Sequence, residues 1–384
     1  MMHDRWIIVG VVATMVSVLP VPAPAQQAAP PARQPEFEMR VLFSGGRVRI
    51  PKITVTTNDT VIAFARNGEL MRRSTDAGQT WGATNNMASG GGNVIVDENT
   101  GDVMMLYPSK GFMQRSRDDG KTWERESIVV KPNGLGHGTS NNVPIDVLCS
   151  ESGITLKHGK HKGRLLMPGR CQPPDGGRNQ RHWPYHYNTA IYSDDGGKTW
   201  QTAYPVQTGT GEGTLAELSD GRIYYNSRSH LSVDNRRRIA WSHDGGNMWT
   251  DWQVSEYLFE VGQPHYFRYG TKPSYGCNAG LVRMPLEATE GKDVLLFSTP
   301  DNPGKSRIRL TVWASFDGAK TWPVKRLVHE KHSAYSSLAA DKKGNIYCLF
   351  EREGTVSLAR FNLEWLTQRQ GWQREEGEEG SGLD

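Results

Sequence analysis

Short apolar runs separated by turn signals dominate the chain. Val61-Ile62-Ala63-Phe64-Ala65, Asn93-Val94-Ile95-Val96 and Val103-Met104-Met105-Leu106-Tyr107 are of strand length. So are Arg164-Leu165-Leu166-Met167-Pro168, Thr189-Ala190-Ile191-Tyr192, Ile223-Tyr224-Tyr225, Asp293-Val294-Leu295-Leu296-Phe297 and Asn345-Ile346-Tyr347-Cys348-Leu349-Phe350. Turns such as Asp220-Gly221 and Lys343-Gly344 lie between them. No amphipathic helix longer than a few turns is written in the pattern. The expectation is an all-β domain over residues 38–367.

A repeat refines this expectation. Ser74-Thr75-Asp76-Ala77-Gly78-Gln79-Thr80-Trp81 reads Ser-x-Asp-x-Gly-x-Thr-Trp. The same motif starts at Ser116 and Ser193, recurs at Ser242 with Met248 in place of Thr, and at Ser315 with Ala319 in place of Gly. Asp and Gly tolerate left-handed backbone, Ser and Asp bond local amides, and Trp anchors the turn on apolar surface. A repeated hairpin implies a repeated supersecondary unit. A β-propeller accommodates many short strands while leaving few exposed edges. The intervals between motifs are unequal, which disfavours a parallel β-helix.

The termini read differently. Arg5 precedes an apolar run from Trp6 to Pro20, and Ala23-Pro24-Ala25 offers a small-x-small cleavage site. Residues 1–25 are expected to be a signal peptide, which would make the mature protein periplasmic or secreted, with no membrane span. Residues 26–37 form a Pro- and Gln-rich flexible linker, and 368–384 an acidic, disordered tail. The formal charge of +4 gives no case for nucleic acid. The cysteines Cys149, Cys171, Cys277 and Cys348 fit no zinc spacing. An exported chain permits a Cys149–Cys171 bridge, with free buried thiols as the alternative. His158 and His161 lie among Lys and Gly and read as solvated. Gly90-Gly91-Gly92 lacks the strand-to-helix setting of a phosphate cradle.

Other segments carry a more specific signal. Arg49-Ile50-Pro51 is followed by Ala63-Phe64-Ala65. Further on come Gly211-Glu212 with Leu215-Ala216-Glu217-Leu218, Asn226-Ser227-Arg228-Ser229, Ser306-Arg307-Ile308-Arg309-Leu310, Ser333-Ala334-Tyr335-Ser336-Ser337-Leu338 and Cys348-Leu349-Phe350-Glu351. Together with the Ser-x-Asp boxes, these resemble the bacterial and animal exo-sialidases over about residues 47–366. The resemblance implies a six-bladed β-propeller that acts as a monomer, without cofactor or metal. It also implies removal of a terminal sialic (nonulosonic) acid from glycoconjugates, with retention.

The residue types fit that chemistry. A sialic acid carries a carboxylate on its anomeric carbon, and the planar fork of arginine pairs with both carboxylate oxygens. The resemblance assigns Arg49, Arg228 and Arg307 to that carboxylate and Glu351 to support of Arg49; Arg309 is the near rival of Arg307. An anionic nucleophile would be repelled by the substrate, and sialidases use a tyrosine. Tyr335 is the implied nucleophile and Glu212 the base that activates it. Glu217 is the near rival of Glu212.

Two departures stand out. The family carries a loop with an acid/base aspartate after the Ala-Phe-Ala strand. Here Arg66-Asn67-Gly68-Glu69 returns directly, with Asn67-Gly68 reading as a two-residue hairpin. Glu69, Asp146 and His137 are the remaining candidates for the acid. Glu151-Ser152-Gly153-Ile154 stands where the family has a Gly-Pro-Gly-type turn. The aromatic-rich stretch 172–187 is either a sugar-contacting wall or a packed surface loop. Two alternatives therefore accompany the main expectation: a hydrolase of the same fold for another acidic sugar with a relocated acid, and a non-catalytic carbohydrate-binding propeller.

Overall fold

The structure, a computed structural model, describes residues 33–46, 48–87, 89–133, 139–140, 143–144, 147–171, 187–230, 234–262 and 276–368, with backbone alone between 139 and 149. The leader at 1–25, the linker up to residue 32 and the acidic tail beyond 368 lie outside the described residues. So do His137, Asp146 and the aromatic stretch up to 186.

After β1 (Phe37–Phe43), a first antiparallel sheet contains β2 (Lys52–Val55), β3 (Val61–Ala65), β4 (Leu70–Ser74) and β5 (Asn85–Asn86) in chain order. A second repeats the pattern with β6 (Asn93–Val96), β7 (Val103–Tyr107), β8 (Phe112–Ser116) and β9 (Glu124–Ser127). β10 (Val129–Lys131) follows, and β11 (Thr139–Ser140) and β12 (Val143–Pro144) form a separate ribbon. β10 joins a third sheet with β13 (Val147–Cys149), β14 (Ile154–Thr155), β15 (Leu165–Cys171), β16 (Tyr187–Ser193), β17 (Thr199–Thr202) and β18 (Gln207–Thr208). A fourth holds β19 (Thr210–Glu217), β20 (Ile223–Ser229), β21 (Arg236–Ser242) and β22 (Thr250–Phe259). The last sheet joins β23 (Gly280–Arg283), β24 (Leu295–Pro300), β25 (Ile308–Ser315), β26 (Val324–Ala340), β27 (Ile346–Arg352) and β28 (Thr355–Phe361) to β1. A short helix α1 (Leu363–Thr367) ends the domain.

The arrangement is all-β and propeller-like. The strands nearest the axis touch in sequence: β2 on β6, β6 on β14, β15 on β19, β19 on β23, β23 on β26, and β26 back on β2. Six separate four-stranded blades were expected, and the sheets do not divide that way. β26 runs unbroken, pairing with β25 through its first half and with β27 from Ser333 onward, so its two neighbours merge into one seven-stranded sheet.

Packing explains why the apolar runs do not alternate. Val61–Ala65 and Val103–Tyr107 are buried at every position. A strand in the middle of a sheet that is sandwiched between two other sheets is covered on both faces. The tryptophan of each Ser-x-Asp box is part of this sandwich. Trp200 lies among Met104 and Met113 of the second sheet, Trp123 meets Phe64 edge-on at 6.3 Å, and Trp322 lies 6.3 Å from Tyr224.

The boxes themselves are nearly identical. In the Ser193 box, Ser193 Oγ donates to Asp195 at 2.8 Å and accepts from Gly197 N at 2.9 Å, while Thr199 Oγ1 donates to the same carboxylate at 2.7 Å. Each box joins the third strand of a unit to its outer strand. The C-terminal unit receives its outer strand from β1, which pairs antiparallel with β28, so it has no such turn.

Three smaller expectations need correction. The end of the linker is docked: Asn362 Nδ2 donates to Gln34 O at 2.6 Å, Glu36 N donates to Asn362 Oδ1 at 3.0 Å, and β1 already begins at Phe37. The Cys149–Cys171 bridge is not formed, because Cys171 is a free buried thiol set across from Val147 in the ladder. The β3–β4 turn takes four residues, not two, with Arg66, Asn67 and Gly68 all at positive φ.

Candidate active site

Tyr335, on β26, is the centre of a cluster assembled from distant parts of the chain. Its Oη donates to Glu212 Oε1 at 2.8 Å. Glu212 lies on β19, and its other oxygen accepts from Arg228 Nη1 at 2.6 Å. The same nitrogen reaches Tyr335 Oη at 2.8 Å. Arg228 comes from β20, the ladder partner of β19, so register brings these two side chains together.

Arg49 and Arg307 approach from the other side of the chain order. The guanidinium carbons of Arg49, Arg307 and Arg228 stand 5.4, 5.5 and 5.8 Å from the centroid of the Tyr335 ring. Glu351, on β27, accepts from Arg49 Nε at 3.2 Å and Nη2 at 3.4 Å. It also accepts from Ile50 N at 2.9 Å. Ile50 has φ 57°, a left-handed conformation that a β-branched residue before proline adopts only when its surroundings impose it. Glu351 thus fixes both the side chain of Arg49 and the strained backbone beside it. Arg307 Nη2 donates to Gly276 O at 2.9 Å.

The other sequence candidates fall elsewhere. Arg309 pairs with Glu330 at 2.6 Å on the exposed surface. Glu217 accepts backbone amides of Lys157 and His158 at 2.7 and 3.1 Å. Glu69 lies in the four-residue turn with its carboxylate 3.9 Å from Arg66, and no described contact joins it to Tyr335 or Glu212.

Four residues that the sequence did not single out complete the surroundings. Arg170 Nη1, at the end of β15, is 3.6 Å from Glu212 Oε1, and His230 Nε2 is 3.7 Å from Oε2. Glu260 is buried, accepts from Arg237 at 2.9 Å and Ser229 N at 2.9 Å, and so holds the segment after Arg228. His230 and Ser229 follow Arg228 directly, which was the one available signal. Arg170, Arg237 and Glu260 had none, because only the fold brings them near.

Burial works to raise the Glu212 carboxyl, but Arg228, Arg170, His230 and the Tyr335 hydroxyl hold it well below the usual carboxylate range. The Tyr335 phenol is pushed up to about 12, first by burial, with Arg228 opposing and the charge of Glu212 adding to the rise. The resting pair is therefore a neutral phenol hydrogen-bonded to a carboxylate. A cavity lined by Ile53, Ser152, Leu215, Leu281, Leu338 and Asp341, among others, contains none of the cluster residues.

Sheets pinned by Ser-x-Asp boxes, with a tyrosine–carboxylate pair flanked by three arginines, define a propeller-like Asp-box fold with a cationic cluster. A family model described as BNR repeat-like domain matches residues 90–348, and the chain belongs to that family. The curated sialidase of Micromonospora viridifaciens is 28% identical over 92% of this chain, which spans 58% of that relative's length. Among solved structures, the Hadza microbial sialidase Hz136 is similar in fold, with a TM-score of 0.65 and 23% identity over 83% of this chain and 66% of that one. Trypanosoma rangeli sialidase in complex with 2,3-difluorosialic acid, described as a covalent intermediate, has a TM-score of 0.56 and 20% identity over 82% of this chain and 54% of its own.

Proposed function

We propose that the protein is a retaining exo-sialidase-type glycoside hydrolase that releases a terminal sialic (nonulosonic) acid from glycoconjugates. The observation that carries this reading is the 2.8 Å hydrogen bond from Tyr335 to Glu212 within reach of three guanidinium groups. Arg49, Arg228 and Arg307 bind the substrate carboxylate. Glu212 takes the phenolic proton, Tyr335 Oη bonds to the anomeric carbon, and the bond to the leaving oxygen breaks. The leaving oxygen departs with the negative charge; water then attacks the anomeric carbon and gives up a proton to the solvent, which makes good the proton taken up by the leaving group, and the proton on Glu212 returns to the departing tyrosine oxygen. The names of the relatives and the covalent intermediate described for the Trypanosoma rangeli structure support the reading.

The test is turnover of an aryl sialoside by the wild-type chain and by Tyr335→Phe. Release of the aryl group by the wild type, lost in the variant, is the expected result; equal rates would overturn the nucleophile.

A second reading differs in the sugar. The β3–β4 turn holds no aspartate, and Glu69 is turned to Arg66. This favours a related acidic sugar whose glycoside is protonated from elsewhere in the cleft. Cleavage of another acidic aryl glycoside faster than the aryl sialoside would select it.

A further inference from the structure

Outside the cluster, buried polar side chains from separate segments meet around one carboxylate. Lys52, Glu151, Asn278 and Ser337 are at most 2% exposed. Glu151 Oε1 accepts from Ser337 Oγ at 2.6 Å and Ser152 N at 3.0 Å. Its Oε2 accepts from Asn278 Nδ2 at 3.1 Å and lies 3.5 Å from Lys52 Nζ. Lys52 also donates to Ser150 O at 2.7 Å, and Ser337 Oγ accepts from Ile53 N at 3.1 Å.

A buried ion pair is a weak source of stability, because desolvation offsets most of its attraction. A fully satisfied buried network, in contrast, fixes geometry. The segments tied through Lys52, Ser337 and Asn278 each run close in sequence to part of the candidate site. Lys52 is three residues after Arg49, Ser337 two after Tyr335, and Asn278 two after Gly276, whose carbonyl holds Arg307. Glu151 itself, between β13 and β14, has no described contact with Tyr335, Glu212 or the three arginines.

We propose that Glu151 is a positioning residue, which through Ser337, Asn278 and Lys52 sets the spacing of Tyr335, Arg307 and Arg49. The kinetic part of this inference rests on the hydrolase reading; the structural part does not.

Glu151→Ala strands the Lys52 ammonium and is expected to compromise folding, so the test uses Ser337→Ala and Asn278→Ala. Ser357→Ala, buried on β28 with no described side-chain contact to Glu151 or the cluster, is the control. The first readout is the crystal structure of Ser337→Ala, in which the Tyr335–Glu212 bond should lengthen by roughly 0.5 Å. The second is turnover of an aryl sialoside. Ser337→Ala should lower kcat about tenfold with little change in KM, Asn278→Ala should raise KM, and Ser357→Ala should move neither. A purely structural role would lower Tm and leave that split absent. An unmoved tyrosine overturns the proposal whatever the rates; so does a moved tyrosine with kcat within about twofold of an active wild type. A moved tyrosine in a chain whose wild type turns over no acidic aryl glycoside leaves the positioning role standing and removes the hydrolase reading.

Discussion

Arg228 Nη1 stands 2.6 Å from Glu212 Oε2 and 2.8 Å from Tyr335 Oη, so one guanidinium nitrogen touches both members of the proposed proton-transfer pair. When the proton moves from tyrosine to glutamate, the negative charge passes the other way, to the tyrosine oxygen, and Arg228 stays beside the new anion. A lysine there would supply a point charge without the fork. Arg228→Lys is expected to lower kcat/KM for an aryl sialoside by about 10²-fold while the chain stays folded. Steady-state kinetics with a thermal melt checks this.

The pH profile follows from the same pair. Glu212 has its folded pKa depressed, so its contribution to stability is present above the unfolded carboxylate value and is lost only as pH falls through the lower folded one. Tyr335 is pushed up to about 12, so it stays protonated in the resting state through the neutral range. Glu212 should therefore impose no acid limb on kcat/KM between about pH 5 and 8. An acid limb in that window which vanished in Glu212→Asp or Glu212→Gln would contradict this assignment.

Arg307 and Arg309 provide a clean contrast. They are two residues apart, yet one faces the Tyr335 ring and the other pairs with Glu330 on the surface. Arg307→Ala is expected to raise KM for the aryl sialoside by ten-fold or more, on the order of the loss of a charge-assisted contact. Arg309→Ala should leave both constants unchanged. The same kinetic assay compares them side by side.

How far the site could be read in the sequence depends on how each residue is recruited. Tyr335, Glu212, Arg228 and Arg49 sit in local motifs, and those motifs were legible. Arg170 and Glu260 act on the cluster only because β15 and the end of β22 fold beside it, and no local pattern records that. The fold was legible for the same reason as the boxes: each box hairpin is closed by its own Ser and Asp, joined by a Thr in every box but the one at Ser242. The fusion of two sheets through β26 was not, because an apolar run does not record which half of a strand pairs with which neighbour.

Gly211 has a definite reason to be glycine. A Cβ there would fall 1.5 Å from His230 Nε2. Gly211→Ala must displace the imidazole or the strand that carries Glu212, so it should lower kcat and cost about 1–3 kcal/mol of stability. Denaturant unfolding together with kinetics measures both.

The boxes should report on acid stability. Asp76 is lowered to about 2, mainly by the hydroxyl and amide of Thr80 and the hydroxyl of Ser74. The sign is that of a depressed carboxyl: its contribution is present above about pH 4 and is lost as pH falls toward the folded value. Asp76→Asn should therefore lower Tm at pH 7 and flatten its decline between about pH 4 and 2 relative to wild type, as followed by circular dichroism.

The pairing of β1 with β28 has a temporal consequence. Of the strands described, the one made first must wait for the one made last before it finds its partner. Until then the ring has two open edges, each with unpaired backbone groups that invite intermolecular pairing. Closure is thus a late, long-range event of high contact order, and such events are slow. Chaperone dependence and aggregation during refolding should concentrate in the interval before these two strands meet.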